Sequence, residues 1–355
     1  MADLIANIST LQSSLARRRE NARLMTGMAK AEKEVTTGLR ADLFRDLGQR
    51  AAESVRLRNI VQRNDGFIAS NKLLAGRMEV TGLAMTEIRQ VADDFLALAV
   101  SGSNPGSAIS SELQASARIA IGQIVVQANT VYQGGHIFAG IDQDKVPLQR
   151  WDQVNAGTGL SPEDVMTAIV GTGPVTLADV NALTAEIDGV FDGSHATVGY
   201  RYEETFFNGT PAATGPRVEA RIGEGVTISH GIQANDTGFT ELMQGLSMLA
   251  SMDISQIADQ DAYTAWLDAA VQKISQGSHK LLGAQTELGS FQGLVEETID
   301  RHESVNDVYA NRMLDLEGVD AYEAATRLTL LQTQLESSYA VTARLSSLTL
   351  LNFLR

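Results

Sequence analysis

Residues 319–355 read VDAYEAATRLTLLQTQLESSYAVTARLSSLTLLNFLR, a run without Gly or Pro in which Leu328, Leu331, Leu335, Tyr339, Thr342, Leu345 and Leu348 recur three or four positions apart. That spacing lays apolar side chains along one side of an α-helix, and such a stripe has to be covered by another helix. The other end of the chain repeats the pattern with Ile8, Leu11, Leu15, Ala22, Met25 and Ala29. Capped at Ser9 or Thr10, this first helix is expected to run to Gly38, a stop signal. A chain with its most adhesive helices at both termini is built for joining other copies or neighbours, so assembly rather than catalysis is the leading expectation. The segments that carry it are 1–44 with 319–355, and the residues expected to carry it are Ile8, Leu11, Leu15, Leu328, Leu331, Leu335, Leu345 and Leu348. The two terminal stripes are further expected to lack a large enough partner within one chain.

Inside these arms lie two heptad seams. Leu57, Asn64, Asn71, Met78, Met85, Ala92 and Ala99 fall seven apart, with Ile60, Phe67, Leu74, Thr81, Ile88 and Phe95 at the companion positions. Leu267, Ile274, Leu281, Leu288, Val295, His302, Tyr309 and Leu316 do the same, with Ala270, Ala284, Phe291, Thr298 and Val305 beside them. A repeat sustained over that many heptads predicts a coiled-coil-like contact, and Asn64 and Asn71 at seam positions either pair in the interior to fix register or face solvent. Ser103-Asn104-Pro105-Gly106 reads as a turn before a returning helix over 107–133, and Gly134-Gly135 as a break before a short strand at 136–140. Helical pattern resumes at Phe239, pauses near Asp253, and is cut at Gly318.

Between the seams the character changes. Residues 145–235 hold most of the prolines and short alternating runs, Thr197-Val198-Gly199-Tyr200-Arg201-Tyr202 and Val218-Glu219-Ala220-Arg221-Ile222-Gly223 among them. They predict a compact, mainly β insertion with one or two short helices such as 162–170. The expected fold is mainly α: an elongated antiparallel helical bundle formed by the N- and C-terminal halves. It divides into terminal arms (1–44 with 319–355), a rod (45–144 with 236–318) and an outer insertion (145–235) lying outside both seams.

The composition excludes several functions. The 355 residues contain no Cys, so disulfides, thiolate catalysis and Cys-based zinc sites are out. A net charge of −15 argues against nucleic acid, whose phosphates demand cations. That charge is uneven: residues 1–60 carry 11 Lys/Arg against 7 Asp/Glu, and residues 236–327 carry 5 against 16. A basic first arm and an acidic later segment can attract each other, within a chain or between copies, or can simply be solvated faces. The start has neither a basic region nor a continuous apolar one, so neither a Sec-type signal peptide nor a membrane span is expected.

No catalytic constellation assembles from the remaining residues. His136, His195, His230, His279 and His302 show no metal-ligand spacing, and His302 is expected to be a hydrogen-bonded seam residue. Asp142 and Asp144 lack the Gly and terminal Glu of a calcium loop. Gly157, Gly159, Gly171 and Gly173 lack the Lys-Ser/Thr of a phosphate loop and read as turns. Glu203-Glu204 and Glu296-Glu297 point to different sides of their elements and are expected to be solvated. No catalytic residue, metal or cofactor is expected.

The layout resembles the flagellin superfamily of bacterial axial proteins, over roughly residues 4–141 and 235–355. The first arm ends in Thr36-Thr37-Gly38-Leu39-Arg40, similar to that family's arm ending, and Leu316-Glu317-Gly318-Val319-Asp320-Ala321-Tyr322-Glu323-Ala324-Ala325 resembles its entry into the last helix. Within the superfamily, two stretches favour the hook–filament junction branch over the filament subunits. They are Asn129-Thr130-Val131-Tyr132-Gln133-Gly134-Gly135-His136-Ile137-Phe138-Ala139-Gly140, and Leu335-Glu336-Ser337-Ser338-Tyr339 with the ending 348–354. A departure stands at Leu43-Phe44-Arg45-Asp46-Leu47-Gly48, where many relatives carry Ser-Asp-Asp-Pro. The resemblance implies an extracellular flagellar structural protein, exported unfolded by the flagellar type III apparatus. It implies as partners copies of the chain itself, flagellin, hook-associated protein 1 and, before secretion, an export chaperone. A filament subunit is the nearest rival, a cytosolic coiled-coil signalling protein a more distant one, and an enzyme the third.

Overall fold

The computed structural model describes residues 2–102, 109–212 and 215–353, with side chains described from residue 12 to residue 344. The chain folds as two compact units, Met1–Gly66 with Arg301–Arg355, and Phe67–Asp300.

The first unit opens with α1, Ala2–Thr37. The helix begins well before the expected Ser9 or Thr10 cap, because Ala2 to Asn7 contain no Gly or Pro to stop it. It ends where expected, at Gly38, whose φ of +67° suits a residue without Cβ. Asp42 caps α2, Leu43–Leu47, its carboxylate accepting from the Arg45 backbone N–H, and one 3-10 turn, Gly48–Arg50, follows. The long helices α3, Ala51–Ser101, and α9, Gln260–Glu317, each begin or end in this unit, and α10 spans Ala321–Phe353.

On α3 and α9 the seams fall in the register of the heptads. Met78, Met85, Ile88, Ala92, Phe95 and Ala99 are buried on one, and Leu267, Ala270, Ile274, Leu281, Leu288 and Val295 on the other. The two asparagines have different roles. Asn64 donates through Nδ2 to Asn306 Oδ1 at 2.9 Å, an interior pairing in the seam. Asn71 instead donates to the Ile222 carbonyl at 2.8 Å and fixes a β-hairpin against α3. The Arg221 guanidinium of that hairpin lies 5.8 Å over the Phe67 ring.

The second unit adds α4 (Leu113–Ala128), β1 (Val131–Tyr132), β2 (Gly135–His136), α5 (Pro162–Val170), α6 (Leu177–Asp192), α7 (Tyr202–Thr205), β3 (Glu219–Gly223), β4 (Val226–Ser229) and α8 (Thr237–Ser251). The turn expected at 103–106 lies outside the described residues. The strands form two antiparallel pairs, β1 with β2 and β3 with β4. At the first pair, Gln133 and Gly134 both have positive φ, as a two-residue hairpin turn requires.

The insertion is therefore less β-rich than its alternation suggests. Among the described residues of 145–235, β3 and β4 are its only strands, while α5 and α6 account for much of it. The run at 197–202 is bends leading into α7, because Gly199 takes a φ of +89° and Thr205 Oγ1 donates back to its carbonyl. By contrast α5 and α6 announce themselves: Ser161 with Asp164, and Thr176 with Asp179, are capping boxes. Nor is the insertion separable from the rod. Val165, Met166, Ile169, Val180, Ile187 and Phe191 share one hydrophobic core with α4, α8 and α9.

Helix α8 is the centre of that core, buried at Phe239, Leu242, Met243, Leu246, Met248, Leu249 and Ala250. A helix apolar on every side must be enclosed. Its approach to α9 relies on missing side chains: a Cβ added at Gly277 would stand 2.5 Å from the Leu242 nitrogen and 2.8 Å from the Gly238 carbonyl oxygen. Gly277→Ala sets a gain in helix propensity of about 1 kcal/mol against overpacking of about 1–3 kcal/mol. The contact is backbone to backbone, so overpacking is expected to win and the thermal midpoint to fall. A midpoint unchanged or raised would show that the two helices separate at no cost.

Candidate assembly interface

Helices α1 and α10 pack along one another, antiparallel, at the two ends of the chain. The contacts fall in order: Val319 N donates to Gly38 O at 2.9 Å, Arg327 pairs with Glu34 at 3.3 Å, Leu331 lies over Gly27, and Ser338 Oγ donates to Asn21 Oδ1. The expectation that both terminal stripes lack a partner within the chain is thus corrected for α10, whose stripe lies against α1. The covered positions on α10 are Ala324, Leu328, Leu331, Leu335, Ser338 and Thr342, a regular alternation of four and three. Leu335 and Ala324 are buried, Leu328 and Leu331 half-buried, and Tyr339 falls just off the seam with its hydroxyl 3.9 Å from Met25 Sδ.

On α1 the covered positions are Ser14, Arg17, Asn21, Leu24, Met28, Ala31 and Val35, one residue away from the apolar stripe visible in the sequence. The stripe itself looks outward. Leu15 is 45% exposed and Met25 51%, and Ala22 and Ala29 are exposed too. One position along a helix is a rotation of about 100°, so Leu15, Ala22 and Ala29 stand well round from the side that α10 covers. Ile8, Leu11, Leu345 and Leu348 lie outside the described residues.

A polar latch holds the pair where both helices break. Leu39 and Gly318 form a β-bridge, and Arg40 N donates to the Glu317 carbonyl at 2.8 Å. The Glu317 side chain, 3% exposed, accepts from Ser54 Oγ and from Arg58, whose Nε lies 3.1 Å away. Nearby, Glu34 accepts from Ala41 N at 3.2 Å while holding Arg327, and Lys30 pairs with Asp42 at 3.2 Å. Sequence reasoning missed this cluster because Glu317 sits beside the seam residue Leu316 and looks like any helix-end acid; its one signal is an acid directly preceding the breaking Gly318.

Burial pushes the Glu317 carboxyl up, but the hydrogen bonds from Arg58 and Ser54 and the Arg58 charge outweigh it and hold it below the usual carboxylate range. A carboxyl depressed in the fold contributes stability that is fully present above its unfolded pKa and is lost as pH falls through its folded one. Glu317→Gln is expected to lose about 1–2 kcal/mol at neutral pH, a small amount because Arg58 is half in solvent. It should also flatten the acid limb of the stability profile below about pH 4.5. An unaltered acid limb in the variant's thermal melts would remove Glu317 from this role.

The remaining candidates have local partners. Asp142 pairs with Lys145 at 2.9 Å, His136 Nδ1 lies 2.9 Å from the Asn129 carbonyl, and His195 stacks on Tyr200 with ring centres 5.3 Å apart. Burial, then the charge of Arg77, lowers the pKa of His230. Glu204 accepts from Gly199 N and Glu203 from Ala212 N, so this acid pair organises loops. Gly171 closes α5. Among the described residues no three His, Asp or Glu side chains are grouped to hold a metal ion, and no helix is long and apolar enough to cross a membrane.

The stretch 129–140 forms the neck from which the insertion leaves. Asn129 exchanges hydrogen bonds with Leu148 at 2.8 and 2.9 Å, and Phe138, fully buried, meets Phe239 edge-on at 5.3 Å. Gly140, at φ +75°, has no room for a Cβ beside Thr210 and Gln233.

The bacterial flagellin N-terminal helical region matches residues 8–143, and the bacterial flagellin C-terminal helical region matches residues 271–354. Curated protein sequences provide no match. Among solved structures, the chain is similar to a flagellar hook-associated protein from Vibrio parahaemolyticus, at 12% identity and a TM-score of 0.48, covering 77% of this chain and 99% of that one. It is also similar to Bacillus cereus FlgL, at 15% identity and a TM-score of 0.43, covering 75% of this chain and 99% of that one.

Proposed function

We propose, for a chain that belongs to the flagellin family and is a flagellar structural protein, that it is the hook–filament junction component, hook-associated protein 3, standing between hook-associated protein 1 and the first flagellin subunits. The observation that carries this reading is the outward apolar stripe of α1, Leu15, Ala22 and Ala29, which α10 leaves uncovered. Exposed apolar surface on a helix already paired on its other side calls for a further partner. The junction rather than the filament is favoured by the stretch 129–140 and by Leu335-Glu336-Ser337-Ser338-Tyr339. In this role the arms 1–44 and 319–355 join neighbouring copies, hook-associated protein 1 and flagellin, and the rod 45–144 with 236–318 carries the insertion 145–235 outward. An export chaperone covers the arms before passage through the flagellar type III apparatus, and the function is mechanical, with no catalysis and no cofactor.

Deletion of the gene tests the placement. Cells lacking the protein are expected to keep their hooks, lose their filaments and shed monomeric flagellin into the medium. Intact filaments would sink the junction reading. Loss of filaments with no flagellin outside the cell would favour a filament subunit instead.

The two sides of the arms are expected to respond differently to substitution. Leu15→Asp with Ala29→Asp should leave the thermal transition of the purified chain in place and abolish incorporation into flagella. Leu335→Asp strikes the α1–α10 seam and should cost about 3 kcal/mol or more of stability, since a buried leucine is lost and a charge is put in its place. Normal incorporation of the Leu15 and Ala29 variant would show that the outward stripe is not an assembly surface.

A further inference from the structure

The outward side of α1 is basic as well as apolar. Arg18 flanks Leu15, Ala22 and Ala29 on one edge and Arg19 and Lys33 on the other, all exposed, against one carboxylate, Glu32. In the same unit the outward side of α9 has the opposite character. Glu303, Asp307 and Asp315 lie exposed on it, together with Val308 at 64% and Leu314 at 58% exposure. Of its cations, Arg312 is turned aside to Glu53 at 3.1 Å, and Arg301 stands exposed at the far end, two residues before Glu303. Both faces are exposed in one copy, so neither covers the other. They also match in length: at 1.5 Å per residue, Arg18 to Lys33 spans about 22 Å and Glu303 to Asp315 about 18 Å.

From this complementarity we infer that the outward face of α1 in one copy docks on the outward face of α9 in a second copy. Arg18, Arg19 and Lys33 stand opposite Glu303, Asp307 and Asp315, and Leu15, Ala22 and Ala29 meet Val308 and Leu314. This deepens the assembly reading above, and rests on it, by naming the surface that receives the stripe. Exposed ion pairs add little affinity each, so the charges set which faces meet and in what register, and the apolar stripe supplies the hold. The contact joins two different surfaces, so it propagates from copy to copy instead of closing a two-fold dimer. Attraction between exposed charges fades beyond a screening length of about 10 Å at 0.1 M salt, so the pairing weakens as salt rises.

The chain has no Cys, which makes directed cross-linking clean. Ala22→Cys and Asn311→Cys are placed in two differently tagged full-length copies, mixed at high concentration and oxidised. The mixed dimer is expected to exceed either like-with-like dimer about tenfold, and to fall about tenfold when Arg18→Glu and Arg19→Glu are added to the Ala22→Cys copy. Adding Asp307→Lys and Asp315→Lys to the other copy should restore it. Mixed dimers no more abundant than like pairs, or equally abundant with one or both copies charge-reversed, would overturn the pairing. Incorporation of the tagged chain at the hook is scored in parallel. A chain that incorporates normally without the 22–311 cross-link refutes this surface and leaves the junction reading standing. A chain with unaltered side chains that never reaches the hook refutes the junction reading itself.

Discussion

When only two helices pack together, each buries one stripe and leaves the rest of its surface in water. That geometric limit governs the first unit. On α1 the covered stripe holds Ser14, Arg17, Asn21 and Leu24, a mixed set, while Leu15, Ala22 and Ala29 remain outside. The contact with α10 is correspondingly thin, with Ala31, Ala324 and Leu335 among the few apolar side chains it buries. Polar links make up part of the difference: Glu34 with Arg327, Asn21 with Ser338, and Glu317 with Ser54 and Arg58. Such bonds define register more than they add stability, because most of their groups keep access to solvent.

The second unit escapes the limit by surrounding one helix. Contacts reach α8 from α4, α5 and α6, and its glycines let α9 approach to backbone contact. The aromatic side chains Phe191, Tyr202 and Phe206, with ring centres 5.2–5.5 Å apart, pack the insertion's share of the core. The Tyr202 hydroxyl donates to the Ala234 carbonyl at 2.8 Å, and burial raises its pKa far above the ordinary phenol range. The second unit thus encloses a core that the first lacks, although both display apolar side chains, Leu83, Ile119 and Val126 in the second among them.

The parts of this fold legible in the sequence are those whose pattern repeats. Heptads on α3 and α9 placed nearly every seam residue, because a long repeat averages out local exceptions. Gly38 and Gly318 marked both breaks. The α1 stripe was legible as a stripe but not as to which side α10 would take, since hydrophobic periodicity says that a face must be covered without saying by what. Alternation misled at 197–202, where six residues are too few to separate a strand from a chain bending through Gly199. The capping boxes at Ser161 and Thr176 were the better signal in that region. Glu317 was invisible because its importance comes from Ser54 and Arg58, more than 250 positions away in the chain.

That separation bears on what it costs to bring the two ends together. Closing a loop directly between Asn21 and Ser338 costs about 5 kcal/mol of chain entropy on a logarithmic length scaling. Once Asn64 has met Asn306, roughly 75 residues remain to be closed and the same scaling lowers the cost to about 4 kcal/mol. Pairing of α1 with α10 is therefore cheaper, by about 1 kcal/mol, in a chain whose Asn64–Asn306 contact is already made. The two ends thus draw on that contact for part of the entropy cost of meeting, and a substitution that opens it also loosens the ends.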